Sequence, residues 1–427
     1  MSECRTDGRQ EDYPLSELPA GARKGFWSNA VVLLGFTFFT ATMWGGGRLG
    51  TGLKFWPDLM GLIVFGNLLL GAYVAILGLI AYRSGLNTVL MCRFCFGDKG
   101  SRLTDLLLGL TQIGWYAWGT ATIAIIFVKL LNLPEIWTWP LMIVCGMAFC
   151  WTAYIGYRGL EALSIVAVPV MTLLIIWSMT KATHDAGGLQ ALLKIIPAEP
   201  LSAAAAITIV FGTFVSGGTQ SPNWSRFSNS AKTAVGASLL AFFIGNGLMI
   251  FCGAYGALVY KEADIVNVLA MQGLLGWGIV MLLLNIWTTQ DNTIYNFSVA
   301  GCNLFRSSRR RIFTLGGAAL GTVLAIAGMY NWLVPWLLLL GTFFPPVGAI
   351  IMADYWIIRR GRYPSLDDAT IRPYNIAGLL AYVIASAGAY FTGKAEIGIP
   401  PINGILIALI VYPLLYRLLE KKSSGSQ

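Results

Sequence analysis

The chain has 427 residues, of which only 11% are charged (29 Lys/Arg and 20 Asp/Glu), while 56% are hydrophobic. Soluble proteins carry charge on about a quarter of their residues, so a soluble multidomain protein could not cover its surface with so few charges, and a disordered chain is excluded by the same composition. The net charge of +9 allows a nucleic-acid binder only until the positions of the basic residues are read.

A membrane-spanning helix needs about 20 mostly apolar residues, because in lipid the backbone must satisfy its own hydrogen bonds. The hydropathy pattern predicts twelve such segments, at 29–51, 57–80, 104–131, 138–156, 161–180, 203–220, 233–257, 272–300, 312–329, 332–357, 373–391 and 399–418. A polar tail precedes the first, which reads as a retained helix and not a signal peptide. The longest connection, 181–202, is expected to hold a short amphipathic piece. With both termini inside, only Arg48, Lys54, Lys129, Lys181, Lys194, Lys261 and Lys394 face outward, leaving 22 of the 29 basic residues on the inner side. That is the positive-inside pattern. The basic surplus therefore reads as orientation and contact with anionic lipid, and nucleic-acid binding has no separate support. The expected organisation is a cytoplasmic tail over 1–25, a ten-helix core over 26–357, two further helices over 358–418, and a cytoplasmic tail over 419–427.

Two spans carry helix-breaking composition at membrane depth. The first reads GFTFFTATMWGGGRLGTG from Gly35 to Gly52, and the sixth reads VFGTFVSGGTQSPNWSRF from Val210 to Phe227. Small residues at these positions serve either close helix packing or an unwound segment whose carbonyls and amides line a cavity. Unwinding is expected near Phe214–Thr219. If spans 1–5 and 6–10 are two five-helix repeats, the broken spans 1 and 6 occupy matching positions.

The third span contains LTQIGWYAWG, Leu110 to Gly119. The Trp115 indole offers a face for a planar heterocycle, Gln112 can donate and accept hydrogen bonds, and Phe214 supplies a second aromatic face. The eighth span contains LNIWTTQDNTIY, Leu284 to Tyr295. Asn285, Thr288, Asn292 and Tyr295 share one helix face by their three-and-four spacing, with Thr289 beside them. So many polar groups would be expensive against lipid. They form either a helix–helix hydrogen-bond network or a set of oxygen ligands for a hard cation such as sodium, with Asp291 as a further cation or proton group. Cys92 and Cys95 form a lone CxxC without partners and read as packing residues. His184, the single histidine, is expected in an outer loop with no role. No Walker A loop, calcium loop or histidine metal motif occurs. The chain lacks the nucleotide domain of an ATP-driven pump, and no catalytic set is assembled, which leaves a secondary transporter ahead of a channel and an enzyme.

The segments ARKG (Ala22–Gly25), TQIGW (Thr111–Trp115), LNIWTTQDN (Leu284–Asn292) and PPVGAIIMADY (Pro345–Tyr355) together resemble the nucleobase–cation symporter family, in its bacterial cytosine-permease branch. The resemblance extends over nearly the whole chain. It implies an all-α integral membrane protein of twelve helices, with a five-plus-five inverted-repeat core, broken helices 1 and 6, and two additional C-terminal helices. It also implies sodium-coupled import of cytosine or a related neutral nucleobase across the bacterial inner membrane, with no cofactor and no obligate protein partner. Carried onto this chain, the base would be held by Gln112, Trp115, Thr213, Phe214, Ser216, Gly217 and Asn285. Sodium would be held by Thr37, the Phe39 carbonyl, the Asn285 carbonyl, Thr288 and Thr289. Three features depart from the resemblance: the proline-rich continuation SGGTQSPNWSRF, Gln290 in place of an expected asparagine, and the bulky Tyr116–Trp118. They leave another pyrimidine, a purine or a hydantoin open as substrate, and Asp291 keeps proton coupling open beside sodium.

Overall fold

A computed structural model describes residues 12–197 and 200–424; Cys4, Arg5 and Arg9 of the predicted inner tail lie outside this range. Among the described residues every regular element is helical. In chain order these are α1 (Phe26–Thr37), α2 (Thr40–Gly52), α3 (Met60–Ser84), α4 (Thr88–Phe96), α5 (Ser101–Leu130), α6 (Thr138–Ala148), α7 (Trp151–Ile155), α8 (Tyr157–Asp185), α9 (Leu189–Leu192), α10 (Ala203–Thr219), α11 (Pro222–Ser225), α12 (Ala231–Leu239), α13 (Asn246–Tyr260), α14 (Ile265–Met271), α15 (Leu275–Leu304), α16 (Arg310–Ile326), α17 (Leu333–Phe343), α18 (Pro345–Ala353), α19 (Ile376–Lys394) and α20 (Pro400–Ser424).

Each of the twelve expected segments coincides with a helix or a helix pair. By length and apolarity, however, eight described helices qualify to cross a membrane, or nine when the bent pair α1–α2 is counted as one span. The three that fall short are α10, α15 and α16. Helix α10 has 17 residues. Helix α15 is long enough but carries the polar run Asn285–Asn292, all of it buried except Trp287. A helix surrounded by protein has no need of an apolar surface, so hydropathy undercounts it.

The break in the first span falls at Phe38–Phe39, where the backbone turns extended (φ −132°, ψ 134° at Phe39) and α1 and α2 meet at 57°. The triple glycine, which the sequence left open to packing or unwinding, is helical. Its purpose is contact: a Cβ on Gly46 would lie 2.1 Å from the Ile250 carbonyl oxygen, and one on Gly50 would lie 2.1 Å from that of Ala254. From the other side, a Cβ on Gly253 would meet the Met43 carbonyl. Backbones of α2 and α13 thus touch directly, the small-residue packing that membrane helices use in place of a hydrophobic drive. The sixth span also differs from expectation. Phe214–Thr219 remain helical, and the chain tightens instead at Gln220–Ser221, before Pro222 opens α11.

Helix α4 was not expected. It lies in the connection between α3 and α5, too short to span, yet nearly all of it is buried, and the Thr88 hydroxyl donates to the Thr219 carbonyl at 3.0 Å. The six described cysteines are buried and form no disulfide among the described residues. His184 lies in the last turn of α8, not in a loop. Asp354 is fully buried and receives Arg359 Nε at 2.8 Å and the Tyr412 hydroxyl at 2.6 Å, so it fastens α20 to the end of the tenth span.

The glycine contacts make a stability prediction. Gly46→Ala forces a methyl into a backbone oxygen, and overpacking of this kind costs about 1–3 kcal/mol. Gly316→Ala, on α16 with nothing within 4 Å of its Cβ position, removes a helix-weakening glycine and is expected to be neutral or stabilising. Thermal unfolding of the detergent-solubilised protein should show a lower Tm for the first and an equal or higher Tm for the second.

Candidate functional site

The break at Phe38–Phe39 leaves carbonyls at the end of α1 with no N–H of a following helical turn to receive. The side chain that meets them comes from α15. Thr289 Oγ1 lies 3.1 Å from the Phe36 carbonyl oxygen, 3.3 Å from that of Phe38 and 3.2 Å from that of Asn285. One hydroxyl has one hydrogen, so it can satisfy only one of the three at a time. The remainder is a compact set of buried oxygens, the kind of site that unwound transporter helices offer a monovalent cation. Thr288 Oγ1 donates within its own helix, to Leu284 and Asn285 (3.0 and 3.1 Å). The first-span carbonyls within reach of the Thr289 hydroxyl are those of Phe36 and Phe38, while the expected ligands Thr37 and Phe39 make other bonds. The break comes early enough that Phe39 already caps α2, and its carbonyl accepts Thr42 N–H at 3.0 Å. The Thr37 hydroxyl donates to Leu34 O at 3.2 Å and lies against Gly245.

Beside this cluster lies a small cavity lined by Phe36, Phe39, Trp115, Thr213, Phe214, Ser216, Gly217, Thr289 and Thr293. It measures about 10 Å³, the scale of one water molecule. Trp115 Nε1–H donates to Ser216 Oγ at 3.1 Å, which ties α5 to α10. The Phe39 ring stands edge-on to Trp115 at 5.6 Å and to Phe214 at 6.3 Å. Phe36 stands edge-on to Phe214 at 5.1 Å. A Cβ on Gly217 would lie 2.6 Å from the Phe36 ring, so only glycine leaves this wall open. Thr213 is held from behind: its hydroxyl donates to Val210 O at 2.7 Å and accepts from Asn246 Nδ2, which also donates to Asn67 Oδ1.

The structure therefore gathers Trp115, Thr213, Phe214, Ser216 and Gly217 around one cavity, with Thr289 bridging to the oxygen cluster. Gln112 and Asn285 do not line it. Gln112 is buried with both amide atoms unpartnered among the described residues, and Asn285 lies one helical turn from Thr289 with Nδ2 unpartnered. The rings of Phe36 and Phe39 and the hydroxyl of Thr293 are additions. The i, i+4 spacing of Thr289 and Thr293 was the available signal. Two residues off that face at 100° per residue, Asp291 points elsewhere. Its carboxylate accepts from Thr152 Oγ1 on α7 at 2.9 Å and from Asn292 Nδ2 at 3.0 Å. Gln290 also faces away, donating to the Tyr116 carbonyl at 2.5 Å across α5.

The two ends of the site differ. Toward the face bearing Arg48, Glu262 and Asp264 there is a cavity of about 410 Å³, bordered by Trp44, Tyr330 and Leu337. An aromatic layer separates it from the small cavity: Trp118 stacks on Tyr330 at 6.0 Å and stands edge-on to both Trp44 and Phe39. The opposite face is covered by the chain before α1. Arg226 is fully buried, and its guanidinium donates to the carbonyls of Asp12 (2.6 Å), Tyr13 (3.0 Å) and Ser16 (3.4 Å). The Asp12 carboxylate accepts the Tyr157 N–H and lies 3.8 Å from Arg310 Nε. Lys24 pairs with Glu161 at 2.9 Å. A site closed on one face and screened by packed aromatic rings on the other suits passage of a small solute.

Residues 17–394 match the profile of a family described as permease for cytosine/purines, uracil, thiamine, allantoin. The chain belongs to this permease family. It is a multi-pass membrane transporter and not an enzyme. Among its relatives, the cytosine permease of Escherichia coli (strain K12) is 39% identical over 418 residues, covering 98% of this chain and 97% of that protein. The hydantoin permease of Microbacterium maritypicum is 23% identical, covering 78% of this chain and 73% of that one. Mhp1, a nucleobase-cation-symport-1 family transporter solved closed with bromovinylhydantoin bound, superposes with a TM-score of 0.79 at 19% identity, covering 95% of each chain. At that identity the likeness establishes that this permease has the same fold.

Proposed function

We propose that this permease is a sodium-coupled symporter that imports cytosine, or a closely related neutral nucleobase, by alternating access. The reading places it in the bacterial inner membrane with twelve crossings and both termini cytoplasmic. The first ten crossings, over 26–357, form two inverted five-helix repeats, and the last two, over 358–418, lie outside them. The observation that carries it is the adjacency of two unlike halves, an aromatic cavity walled by Trp115, Phe39 and Phe214 and an oxygen cluster around Thr289, which itself lines the cavity. The near-full-length similarity to a cytosine permease supports cytosine as the base. A planar uncharged ring would stack on the Trp115 face once Phe39 withdraws, and sodium would take the Phe36, Phe38 and Asn285 carbonyls with the Thr289 hydroxyl. Shared walls make each ligand favour the other, a reciprocal coupling.

The test is uptake of radiolabelled cytosine into proteoliposomes under imposed gradients, with uracil, purines and hydantoins as competitors. Accumulation above equilibrium only with an inward sodium gradient is the expected result. Equal accumulation from a proton gradient in sodium-free buffer would overturn the coupling, and a purine or hydantoin displacing cytosine at far lower concentration would overturn the substrate.

A further inference from the structure

We propose that Thr40 is a positioning residue that ties the outer half of the broken helix to the cation cluster. The inference rests on the sodium reading above. Several buried threonines in the bundle turn their hydroxyls back on their own helix: Thr208 to Ala204, Thr219 to Val215, Thr293 to Thr289 and Thr322 to Ala318. Thr40 is the first residue of α2 and has no preceding helical turn. Its hydroxyl instead crosses to α15 and donates to Asn285 Oδ1 at 2.7 Å, between two residues that are both fully buried.

Asn285 is one member of the oxygen cluster, since its backbone carbonyl lies 3.2 Å from Thr289 Oγ1. The same threonine reaches back to Phe36 and Phe38. A closed path results. It leaves α2 at Thr40, passes through the side chain and backbone of Asn285 to Thr289, and returns at the end of α1, so one turn of α15 grips both sides of the break. A cation drawing the Asn285, Phe36 and Phe38 carbonyls together would shorten this path and hold α2 at its angle to α1. Movement of α2 would in turn displace Asn285. The bond also fixes the Asn285 amide. With Oδ1 holding the Thr40 hydroxyl, Nδ2 is left as a buried donor unpartnered among the described residues.

The experiment compares wild type, Thr40→Val and Thr40→Ser, with binding of radiolabelled cytosine measured against sodium chloride, choline chloride holding ionic strength constant. Loss of a single buried hydrogen bond that acts on the cation cluster is expected to raise the sodium half-saturation about tenfold in Thr40→Val. Thr40→Ser, which keeps the hydroxyl, should stay within about twofold of wild type, the scatter of small packing changes. Cytosine affinity at saturating sodium should be unchanged in both. If Thr40→Val is not recovered from membranes, Thr40→Ala removes the same hydroxyl without steric demand and carries the comparison. Sodium-dependent binding by wild type together with an unmoved half-saturation in Thr40→Val overturns the inference alone. So does a loss of cytosine affinity at saturating sodium as large as the sodium shift, which marks general damage. Sodium-independent binding by wild type overturns the cation reading and this inference with it.

Discussion

Thr289→Val is expected to lower the apparent sodium affinity of cytosine binding by about 100-fold, near 2.8 kcal/mol at about 1.4 kcal/mol per tenfold. The substitution keeps the shape of the side chain and removes its oxygen. That oxygen lies within 3.3 Å of both the Phe36 and Phe38 carbonyls. Without it a cation loses one ligand outright, and a buried acceptor left unmet costs roughly 1–3 kcal/mol. Two neighbours provide the contrast. Thr288 bonds only within α15, so Thr288→Val should shift sodium dependence by less. The Thr37 hydroxyl donates to Leu34 away from the cluster, so Thr37→Val should leave sodium dependence unchanged. Sodium titrations of cytosine binding on the three purified variants check the order. An equal shift in all three would mean that hydroxyl loss acts through general destabilisation and not through ligation.

The parts of this site that were legible in the sequence are those written in residue type. Apolar runs of spanning length announce most helices. The polar run Asn285–Asn292 marks α15 as enclosed by protein, because such a run could not face lipid. Trp115 and Phe214 stand out as aromatics next to Gln112 and to small residues. The location of the break was not legible. Phe38 and Phe39 are ordinary residues with no glycine or proline beside them, and the groups that hold the break open, Thr289 and Asn285, lie some 250 residues away in the chain. Within the triple glycine, Gly46 and Gly47 are there because the Ile250 and Ala263 carbonyls press on α2, a contact only the tertiary structure contains. The polar tail before α1 gave no sign that its backbone would supply three acceptors to a buried arginine. Arg226 was read from position alone as one more inner-side charge. Gln112 and Asn285 have the right chemistry for a heterocycle edge and share a helix face with Trp115 and Thr289, but each sits one turn along its helix from that lining residue and so outside the cavity wall.

Trp115→Ala is expected to weaken cytosine binding by about 100-fold, since loss of one aromatic partner for a base costs roughly 1–3 kcal/mol. The indole has two separable duties. Its face borders the cavity, and its Nε1–H holds Ser216 Oγ at 3.1 Å. Trp115→Phe keeps an aromatic face and gives up the bond, so a loss of about tenfold or less is expected, the worth of one hydrogen bond. Ser216→Ala gives up the bond from the other end and leaves the indole N–H unmet, which should produce a loss similar to that of Trp115→Phe. The double substitution Trp115→Phe with Ser216→Ala should then be little worse than either alone, because both remove the same interaction. Phe39 adds a further expectation. Its ring stands edge-on to Trp115 and Phe214 in a cavity too small for a base, so it must move before stacking can occur. Phe39→Ala should therefore quicken cytosine association while leaving the stacking contribution of Trp115 intact. Equilibrium binding across these variants, with association rates from stopped-flow tryptophan fluorescence, separates the duties. Equal affinities for Trp115→Ala and Trp115→Phe would show that the ring face contributes nothing and that the indole serves only to hold α5 to α10.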